Sequence, residues 1–519
     1  MRPLRRIPPG PSRRGGASPT PSRMKPPAST ARRRPKEARV RILLVKPSPR
    51  LATIRGLQAF QRLEPLALGY LAAAAPPGHD IRVLDLRRHR FPEASFRRTL
   101  RRYRPDLVGF TGYTHEVSAI RRLARLTRLE CPGARTVVGG HHATVAPSDF
   151  DGPDVDAVVR GEGCAPFRAL VGRLAAGEEL DDIPHVRVPR TGRGGEELPR
   201  YPDPATLPTP RRDLWPARAY RSVWLAEGGR PWQPLFPAVA TVRTSYGCRM
   251  QCTFCVVPFL SEGRHLPRPV DQVADEIAAL PVEHVYFVDD ENFLDEEHAF
   301  ALAGALAARG VRKRYFAWTR ATTVLRSPEI LRRWREIGLD AAFLGFEFIS
   351  DSALRAVRKG GTVAANERAL DRLRALGVAV HAAFMLMPDS SAEDFDRLRA
   401  YVRALPPVQC SFTVCTPSPG TPDYRALDGR FWVDPPHDLH DCMHPLTPTA
   451  LPLREFSRRY AAQVAEGIAR TPMRVERRPI GPADMVRALA AERAFVRGYE
   501  RLYRDYPRAL WDSTPRCTP

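Results

Sequence analysis

Three cysteines lie close together in the middle of the 519-residue sequence, at Cys248, Cys252 and Cys255, with the spacing Cys-x3-Cys-x2-Cys. Thiolates are the ligands that hold iron–sulfur clusters in proteins. Three thiolates on a cube of four irons leave one iron open, and that iron can chelate the amino and carboxylate groups of S-adenosylmethionine (SAM). The spacing therefore predicts a 4Fe–4S cluster that binds SAM.

The competing interpretation of these cysteines is a structural zinc site. Cys252 and Cys255 have the spacing of a zinc knuckle, and His265 could supply a further ligand. Zinc sites usually pair two such knuckles, and the sequence has no second one. The remaining cysteines are too scattered to indicate a disulfide framework. They are Cys131, Cys164, Cys410, Cys415, Cys442 and Cys517.

The cysteines follow the first strand of a long predicted alternation of strands and helices. Strands are predicted at 238–244, 284–288, 315–318, 342–348, 378–386 and 409–415, and helices at 270–280, 297–309, 328–337, 364–376 and 392–404. Six βα units predict a partial TIM-like barrel over residues 236–435, followed by a helical region over residues 436–519. We expect functional groups at the C-terminal ends of the barrel strands.

A second α/β domain is predicted before the barrel, over residues 39–175. Short apolar strands are predicted at 40–45, 81–86, 107–111, 136–138 and 157–159, with helices at 66–75, 96–103 and 116–129. This alternation is typical of a parallel, doubly wound sheet, whose ligand lies beyond the carboxyl ends of the strands. A polar, proline-rich linker over residues 176–235 connects this domain to the barrel.

The formal charge of +24 is unevenly distributed along the chain. Residues 1–40 carry twelve Lys or Arg and one acid, and we interpret residues 1–38 as a disordered basic tail. Only five residues are Lys against 76 Arg, so the charge indicates a biased composition rather than a nucleic-acid surface. Peripheral contact with an anionic membrane stays open. No apolar leader is visible, and the predicted location is cytoplasmic, with the inner membrane face as an alternative.

The segment from about residue 236 to 425 resembles the radical SAM superfamily. The resemblance depends on the cysteine spacing and on Phe254, the aromatic residue that usually precedes the third cysteine. The cobalamin-dependent branch usually reads Arg-Gly-Cys-Pro at the motif start, where this chain has Tyr-Gly-Cys-Arg at 246–249. That departure affects local packing and spares the thiolates. The resemblance implies a SAM site that includes Phe254.

The resemblance also implies SAM contacts from carboxylates at the ends of two strands. Asp289 and Asp290 follow the second strand, and Glu347 ends the fourth. The alternative role of the aspartates is to cap the next helix. A carboxylate in a barrel mouth needs a partner, and Arg320 after the third strand is the predicted partner of Glu347 as well as a predicted SAM ligand. Its alternative is an ordinary surface arginine.

Residues 40–170 resemble the cobalamin-binding domains attached to such enzymes. The resemblance implies a cradle of glycines and hydroxyls at the strand ends. Its predicted members are Thr111, Gly112, Thr114, Gly139, Gly140, Gly161 and Glu162. Residues 46–50 lack the cobalt-ligating histidine of methionine-synthase-like domains, which implies cobalamin bound without a protein histidine. His115, His141 and His142 are interpreted as hydrogen-bonding residues, and a plain doubly wound domain without cobalamin remains the alternative.

Over most of residues 40–470 the chain resembles the hopanoid C-3 methylases, in segments that include 62–66, 287–290, 310–315, 343–347 and 416–421. This resemblance implies methylation of an unactivated carbon, a lipid or small-molecule substrate and an external electron donor of the flavodoxin or ferredoxin type. The alternative is an oxidative cyclase or rearrangement enzyme that uses both cofactors without methyl transfer. A methylthiotransferase is not predicted, because it needs a second cysteine trio before the barrel.

Overall fold

The computed structural model describes residues 38–195, 201–226, 232–427, 429–434 and 436–512. These residues belong to one compact unit that begins at Ala38. The predicted disordered tail lies, except for Ala38, outside the described residues. Within the described parts of the chain, no helix is both long and apolar enough to cross a bilayer.

The first domain is a parallel sheet covered by helices on both faces. Its elements are β1 (Arg41–Lys46), α1 (Ala52–Phe60), β2 (Gln61–Arg62), α2 (Leu66–Ala74), β3 (Asp80–Asp85), α3 (Pro92–Tyr103), β4 (Leu107–Thr111), α4 (Val117–Glu130), β5 (Arg135–Gly139), α5 (His141–Val145), β6 (Ala157–Val159), α6 (Cys164–Ala176) and β7 (Val186–Arg187).

The strand order of this sheet is β3-β1-β4-β5-β6-β7, in which only β7 runs antiparallel to its neighbour. β1 is almost fully buried because apolar residues fill both of its faces, as expected for a central parallel strand. The chain order changes direction between β1 and β4, so the ends of these strands form the crevice where doubly wound domains bind ligands. The sheet extends past the predicted boundary at residue 175, since β7 joins its edge.

The connector carries little regular structure but is tied to both domains. Its strand β8 (Arg221–Ser222) pairs with β2. Arg212 forms ion pairs with Glu64 of the first domain and Glu276 of the second. Trp215 donates a further hydrogen bond to Glu64 over 2.9 Å. These contacts are buried, so the connector fixes the two domains to each other rather than spacing them apart.

The second domain is a partial barrel of six parallel strands in the order β16-β15-β14-β13-β12-β9. Its elements are β9 (Val239–Val242), β10 (Ser245–Tyr246), α7 (Val257–Leu260), β11 (Leu266–Pro267), α8 (Val270–Ala278), β12 (His284–Phe287), α9 (Glu296–Ala308), β13 (Arg314–Thr319), α10 (Ala321–Arg326), α11 (Pro328–Glu336), β14 (Leu339–Glu347), α12 (Asp351–Ala356), α13 (Val363–Ala375), β15 (Ala379–Leu386), α14 (Ala392–Ala404) and β16 (Gln409–Val414).

The C-terminal region consists of α15 (Pro422–Ala426), α16 (Leu453–Ala469), α17 (Pro472–Val475) and α18 (Pro482–Glu500). α16 packs against β16 through Tyr460, whose hydroxyl donates a 2.8 Å hydrogen bond to the Phe412 carbonyl oxygen. α18 packs against α1, where Gly498 allows close contact with Ala52. The C-terminal region therefore contacts both domains, and the fold class expected from the sequence is confirmed.

Candidate functional site

The cysteine loop leaves the barrel at the C-terminal end of β9 and is closed at its base by the pairing of β10 with β11. Gly247 adopts a φ of +81°, and a Cβ atom at this position would lie 2.3 Å from the carbonyl oxygen of Arg264. Only glycine fits this turn, because the conformation and the close approach both exclude a side chain. The turn directs Cys248 into the barrel mouth.

The three cysteines offer thiols in a largely desolvated loop. Cys248 and Cys252 are buried and Cys255 is half-buried. Burial raises the pKa of Cys255 to about 12 and also raises that of Cys248, so these groups need a cation to stabilise their thiolate forms. Cationic iron supplies that stabilisation, and the donor set fits an iron–sulfur cluster.

The spacing of the thiols argues against a single zinc ion. Among the described residues, only His142, Asp149 and His437 bring three ligand atoms within 4.8 Å of one another, so the three Sγ atoms are spread more widely. A tetrahedral zinc ion with Zn–S bonds of about 2.3 Å holds its sulfurs about 3.8 Å apart. His265 is buried with both ring nitrogens unpartnered among the described residues, and it does not complete a ligand set with the cysteines.

Asp289 holds the start of the cysteine loop. Its buried carboxylate accepts hydrogen bonds from the backbone N–H and the hydroxyl of both Thr244 and Ser245. Asp290 accepts a 2.9 Å bond from the Gly247 N–H. The N-cap of α9 is instead Asp295, so the aspartates do not cap that helix. The prediction that Asp289 binds SAM stays untested, but this carboxylate already has four protein donors.

Arg320 and Glu291 are both buried near the cysteine loop, and the charge of Arg320 acts on Glu291 without a direct bond between them among the described residues. Nη1 of Arg320 lies 3.8 Å from the Cys252 Sγ, and Nη2 donates to the Lys359 carbonyl oxygen. Burial raises the pKa of Glu291 to about 7, against the opposing charge of Arg320. Its Oε1 accepts from the Thr319 hydroxyl, and its Oε2 has no partner among the described residues. The sequence interpretation overlooked Glu291, although it directly follows Asp290.

Glu347 lies at the end of β14 with a φ of +61°, a strained conformation for a residue with a side chain. Its Oε1 forms a 2.6 Å ion pair with Nζ of Lys359. The prediction that Arg320 is its partner is therefore wrong, because Arg320 is directed towards Cys252 and the Lys359 backbone. Phe254 is half-buried beside Cys255. Phe254, Asp290, Arg320 and Glu347 remain predicted SAM ligands.

The interior of the barrel below this mouth is lined by two layers of side chains that follow the strand register. The lower layer contains Tyr286, Phe316, Ala341 and Ala379, and the layer above it contains Trp318, Phe343, His381 and Gln409. Trp318, Phe343 and His381 keep accessible surface, whereas their outward-pointing neighbours Ala317, Ala342 and Ala382 are fully buried. The accessible space therefore lies inside the barrel.

The C-terminal ends of the neighbouring strands β4 and β5 form the centre of the predicted cradle, which we call the slot. Gly140 adopts a φ of +97°, and a Cβ there would lie 2.5 Å from the Thr111 Oγ1 and 3.1 Å from the Gly112 N. Gly139 is less crowded, with its nearest atom at 3.7 Å in Val159. Glycine is therefore required at position 140 for the end of β5 to pack this closely against the end of β4. The nucleotide tail of cobalamin is predicted to bind at these strand ends.

Other predicted members of the cradle have partners within the protein. Thr114 Oγ1 lies 3.1 Å from Nδ1 of His142. Both carboxylate oxygens of Glu162 accept from the Cys164 N–H, which caps α6. The Gly161 N–H donates to the Thr144 hydroxyl. Glu162 thus has a structural role at a helix start, and the seven cobalamin contacts remain predictions.

An open space separates the slot from the cysteine loop. The Tyr113 side chain keeps 57% of its surface accessible. Partial burial and the charge of Glu116 raise the pKa of its hydroxyl, while Arg243 opposes this rise. Lys46 lies at the histidine-free loop below it, where its Nζ pairs with Glu116 over 2.5 Å.

The C-terminal region is bonded to the first domain beside the slot. His142 and His437 each place Nε2 2.9 Å from the same oxygen of Asp149, although His437 is 288 positions further along the chain. Asp441 then anchors the following turn, where it bonds to the Thr53 hydroxyl at 2.7 Å and to Nδ1 of His444 at 2.9 Å. The interpretation of His142 as a hydrogen-bonding residue agrees with these contacts.

Two family descriptions match the chain. Residues 53–171 match the B12 binding domain and residues 242–402 match the radical SAM superfamily. The chain is 32% identical over 422 residues to hopanoid C-3 methylase of Methylococcus capsulatus, covering 80% of this chain and 78% of that protein. It is 27% identical over 366 residues to an uncharacterised methyltransferase of Pyrococcus horikoshii, covering 69% and 77%.

A solved structure has the same fold over nearly its whole length. The radical SAM methyltransferase of Kitasatospora setae, determined with cobalamin and a [4Fe-4S] cluster bound, superposes with a TM-score of 0.58 at 18% identity. The match covers 90% of this chain and 99% of that chain. The two chains therefore share their fold over this length.

Proposed function

Because the chain belongs to the B12-binding radical SAM enzymes, we propose that it methylates an unactivated carbon of an apolar polycyclic lipid of the hopanoid class. Its cofactors are a 4Fe–4S cluster, SAM and cobalamin. When bound, these groups supply a carbon radical that removes hydrogen and a methyl group that replaces it. The residues of the chain bind the cofactors, orient the substrate and exclude water.

The protein groups divide into three sets by task. Cys248, Cys252 and Cys255 hold the cluster. Phe254, Asp290, Arg320 and Glu347 line the mouth beside it, where SAM binds. The slot at Thr111, Gly112, Gly139 and Gly140, with Thr114 and Gly161 beside it, holds cobalamin on the opposite side of the open space. The substrate carbon must lie between these sets, because both cofactors have to reach it.

The observation that carries the lipid proposal is the uncharged, aromatic lining of the barrel interior. Trp318 and Phe343 lie with ring centroids 4.0 Å apart, and Phe343 lies 5.0 Å from His381. Burial lowers the pKa of His381 to about 4, so its ring is neutral near pH 7. An aromatic, uncharged wall binds hydrocarbon rings without desolvating a charge.

This lining is within reach of the radical chemistry. Trp318 lies in β13, and Arg320, the residue directly after that strand, contacts Cys252. A substrate that rests on Trp318 and Phe343 therefore lies near the cysteine loop. The polar atoms of this layer are few. Nε1 of Trp318 and Nε2 of His381 have no partner among the described residues, so each offers a hydrogen bond to a hydroxyl.

The test is anaerobic turnover of the reconstituted full chain with SAM, methylcobalamin, a strong reductant and a hopanoid such as diplopterol. The expected product gains the mass of one methyl group, and both 5′-deoxyadenosine and S-adenosylhomocysteine are formed. A flavodoxin or ferredoxin is the proposed physiological reductant and can replace the chemical one in the same assay.

The outcome separates the parts of the proposal. If the hopanoid is refused but another apolar substrate gains a methyl group, only the substrate class is wrong. If 5′-deoxyadenosine forms with the true substrate while no S-adenosylhomocysteine appears, methyl transfer is wrong, and the alternative of an oxidative cyclase or rearrangement enzyme replaces it.

A further inference from the structure

Helix α18 presents an unusual face to solvent. Its inner side is anchored, because Ala491 and Tyr499 are buried and the Tyr499 ring packs edge-on against Tyr460 at 4.6 Å. On the outer side, Met485, Val486 and Leu489 are 44%, 69% and 42% exposed. These three residues lie at i, i+1 and i+4, so they form a single apolar stripe over the first turns of the helix.

Two more large apolar side chains are exposed on segments joined to the start of α18. Val475 at the end of α17 is 42% exposed, and Trp232 is 65% exposed. The Trp232 N–H donates a 3.1 Å hydrogen bond to the Pro479 carbonyl oxygen, which fixes it beside the connection between α17 and α18. We call Trp232, Val475, Met485, Val486 and Leu489 the α17–α18 patch. A cluster of large exposed apolar side chains marks a contact surface rather than scattered surface hydrophobics.

Arginines without acidic partners flank the patch. Arg493 and Arg497 follow Leu489 at successive intervals of four residues, so they continue the same outer face towards the C-terminus of the helix. Arg477 is exposed after Val475. In the described parts of the chain none of these three forms an ion pair, whereas the neighbouring Arg474 and Arg487 pair with Glu492 and Asp484.

An apolar stripe continued by unpaired cations has the chemistry of a helix that lies in a membrane interface. Apolar side chains enter the acyl region, while arginines reach the headgroups with their long stems. We propose that the α17–α18 patch docks this protein on the surface of an anionic bilayer. The unpaired positive charges select a bilayer with negative headgroups over a protein partner that offers only apolar contacts.

The α17–α18 patch lies partly on a helix that packs against the first domain. α18 packs on α1, and Phe495 of α18 lies against Gly56 of α1. α1 begins at Ala52, shortly after the loop at residues 46–50, and Thr53 bonds to Asp441 of the C-terminal region. A bilayer held at α18 therefore lies against the helix that packs on the first domain. The proposal does not depend on which lipid is methylated.

The test measures vesicle binding without turnover. The reconstituted full chain is mixed with vesicles of phosphatidylcholine alone, or of phosphatidylcholine and phosphatidylglycerol in equal parts, and bound protein is separated by flotation. Binding is expected to the anionic vesicles and to fall as salt is added. The double variant Val486→Glu/Leu489→Glu should lower the partition coefficient at least about tenfold, because it places two charges in the stripe.

The double variant Arg493→Gln/Arg497→Gln should weaken binding to anionic vesicles by about fivefold per arginine and flatten its salt dependence. The matched control is Leu129→Glu on α4, an equally exposed leucine at 65% outside the patch, which should bind like the native protein. All variants alter exposed side chains, so thermal unfolding should be unchanged.

Equal binding by the native protein and by the Val486→Glu/Leu489→Glu variant would overturn the proposal. So would a native protein that ignores anionic vesicles but forms a dimer that this variant dissociates, since the patch would then be a contact between two copies. Neither result bears on methyl transfer, which is measured separately by product mass.

Discussion

The cysteine loop and the slot that is predicted to hold cobalamin are built in different ways. The loop places its three thiols within eight consecutive residues, and charged side chains at the ends of other strands hold it in place, above all Asp289 and Asp290. The slot draws on the ends of three strands between Thr111 and Glu162. Its shape comes from backbone that carries no side chain, most clearly at Gly140.

This difference predicts different kinds of failure. In the loop, the side-chain sulfur atoms bind the cluster, so a variant that removes a sulfur should lose the cluster. In the slot, the close packing of the backbone leaves no room for a side chain at Gly140, so a variant that adds a Cβ atom should weaken cobalamin binding. The C-terminal region supplies no predicted ligand of either cofactor. His437 and Asp441 bond it to the first domain. Variants in each region should separate these three contributions.

The largest expected effect is the loss of the cluster. Cys252→Ala should lower iron from about four per chain to less than one after anaerobic reconstitution, and SAM cleavage should disappear, because one of three cluster ligands is missing. Iron analysis and the visible spectrum measure this. Cys131→Ala is the control, since that half-buried cysteine lies in the first domain. A reducible cluster that persists in Cys252→Ala would show that Cys252 is not a cluster ligand.

The second effect concerns the C-terminal segment around Asp441 and His444, and it depends on pH. Burial opposes protonation of His444, but Asp441 and Asp505 outweigh it and raise the pKa of His444 to about 9. The folded state therefore binds a proton that the unfolded chain releases above about pH 6.5. Its stabilisation, about 3 kcal/mol, should be complete below pH 6.5 and be lost as the pH rises towards 9.

Urea unfolding at pH values below 6.5 and above 9 measures this slope, in the native protein and in His444→Gln. The variant should lose the fall in stability between those values while retaining iron. An unchanged slope would mean that another group titrates in this window. Cobalamin retention at both pH values shows whether loosening the segment affects the slot.

The third effect is steric and should spare the cluster. Gly140→Ala forces a side chain into a conformation that glycine adopts and other residues avoid, and its Cβ would strike the Thr111 hydroxyl. A cost of about 1–3 kcal/mol is expected, with cobalamin affinity reduced by about tenfold or more. Equilibrium dialysis of hydroxocobalamin gives the affinity. Gly133→Ala is the matched control, because nothing lies within 4 Å of its added Cβ.

The smallest effect should come from Asp289→Asn. The amide keeps one acceptor oxygen but loses the charge that attracts the four donors of Thr244 and Ser245. The loop should form yet be less well fixed, so that the rate of SAM cleavage falls by about tenfold while iron content stays near the native value. A rise in the KM for SAM with an unchanged kcat would instead indicate direct contact between Asp289 and SAM.

Much of the fold could be predicted because strands, helices and ligand spacing depend on short segments of the sequence. The alternation of apolar strands and helices predicted both parallel sheets, since each short strand buried on two faces leaves a run of apolar residues. The family and its cofactors followed from the cysteine spacing and from the glycines at strand ends. Helix α1 was not predicted. Gly56 in its middle lowers the helix propensity of this nine-residue segment, and the helix is stabilised by packing on α18.

The pairing of charged groups could not be predicted in the same way. Glu347 was expected to pair with Arg320 and pairs with Lys359, because the positive φ of Glu347 turns its carboxylate towards the following loop. Glu291 stood in the sequence among other acids with nothing to mark it as fully buried. The pKa of such a group depends on the solvent it loses, and that loss is defined only after the barrel closes.

The sequence by itself determined the kinds of chemistry available, since ligand types, their spacing and the strand periodicity are properties of short segments. Only the tertiary structure decided which distant residues meet. It brought His437 to Asp149 and His142, joined Asp441 to Thr53, and left the apolar side of α18 facing outwards. The physical reason is that such contacts depend on the path of the whole chain, and nothing in either short segment specifies its partner.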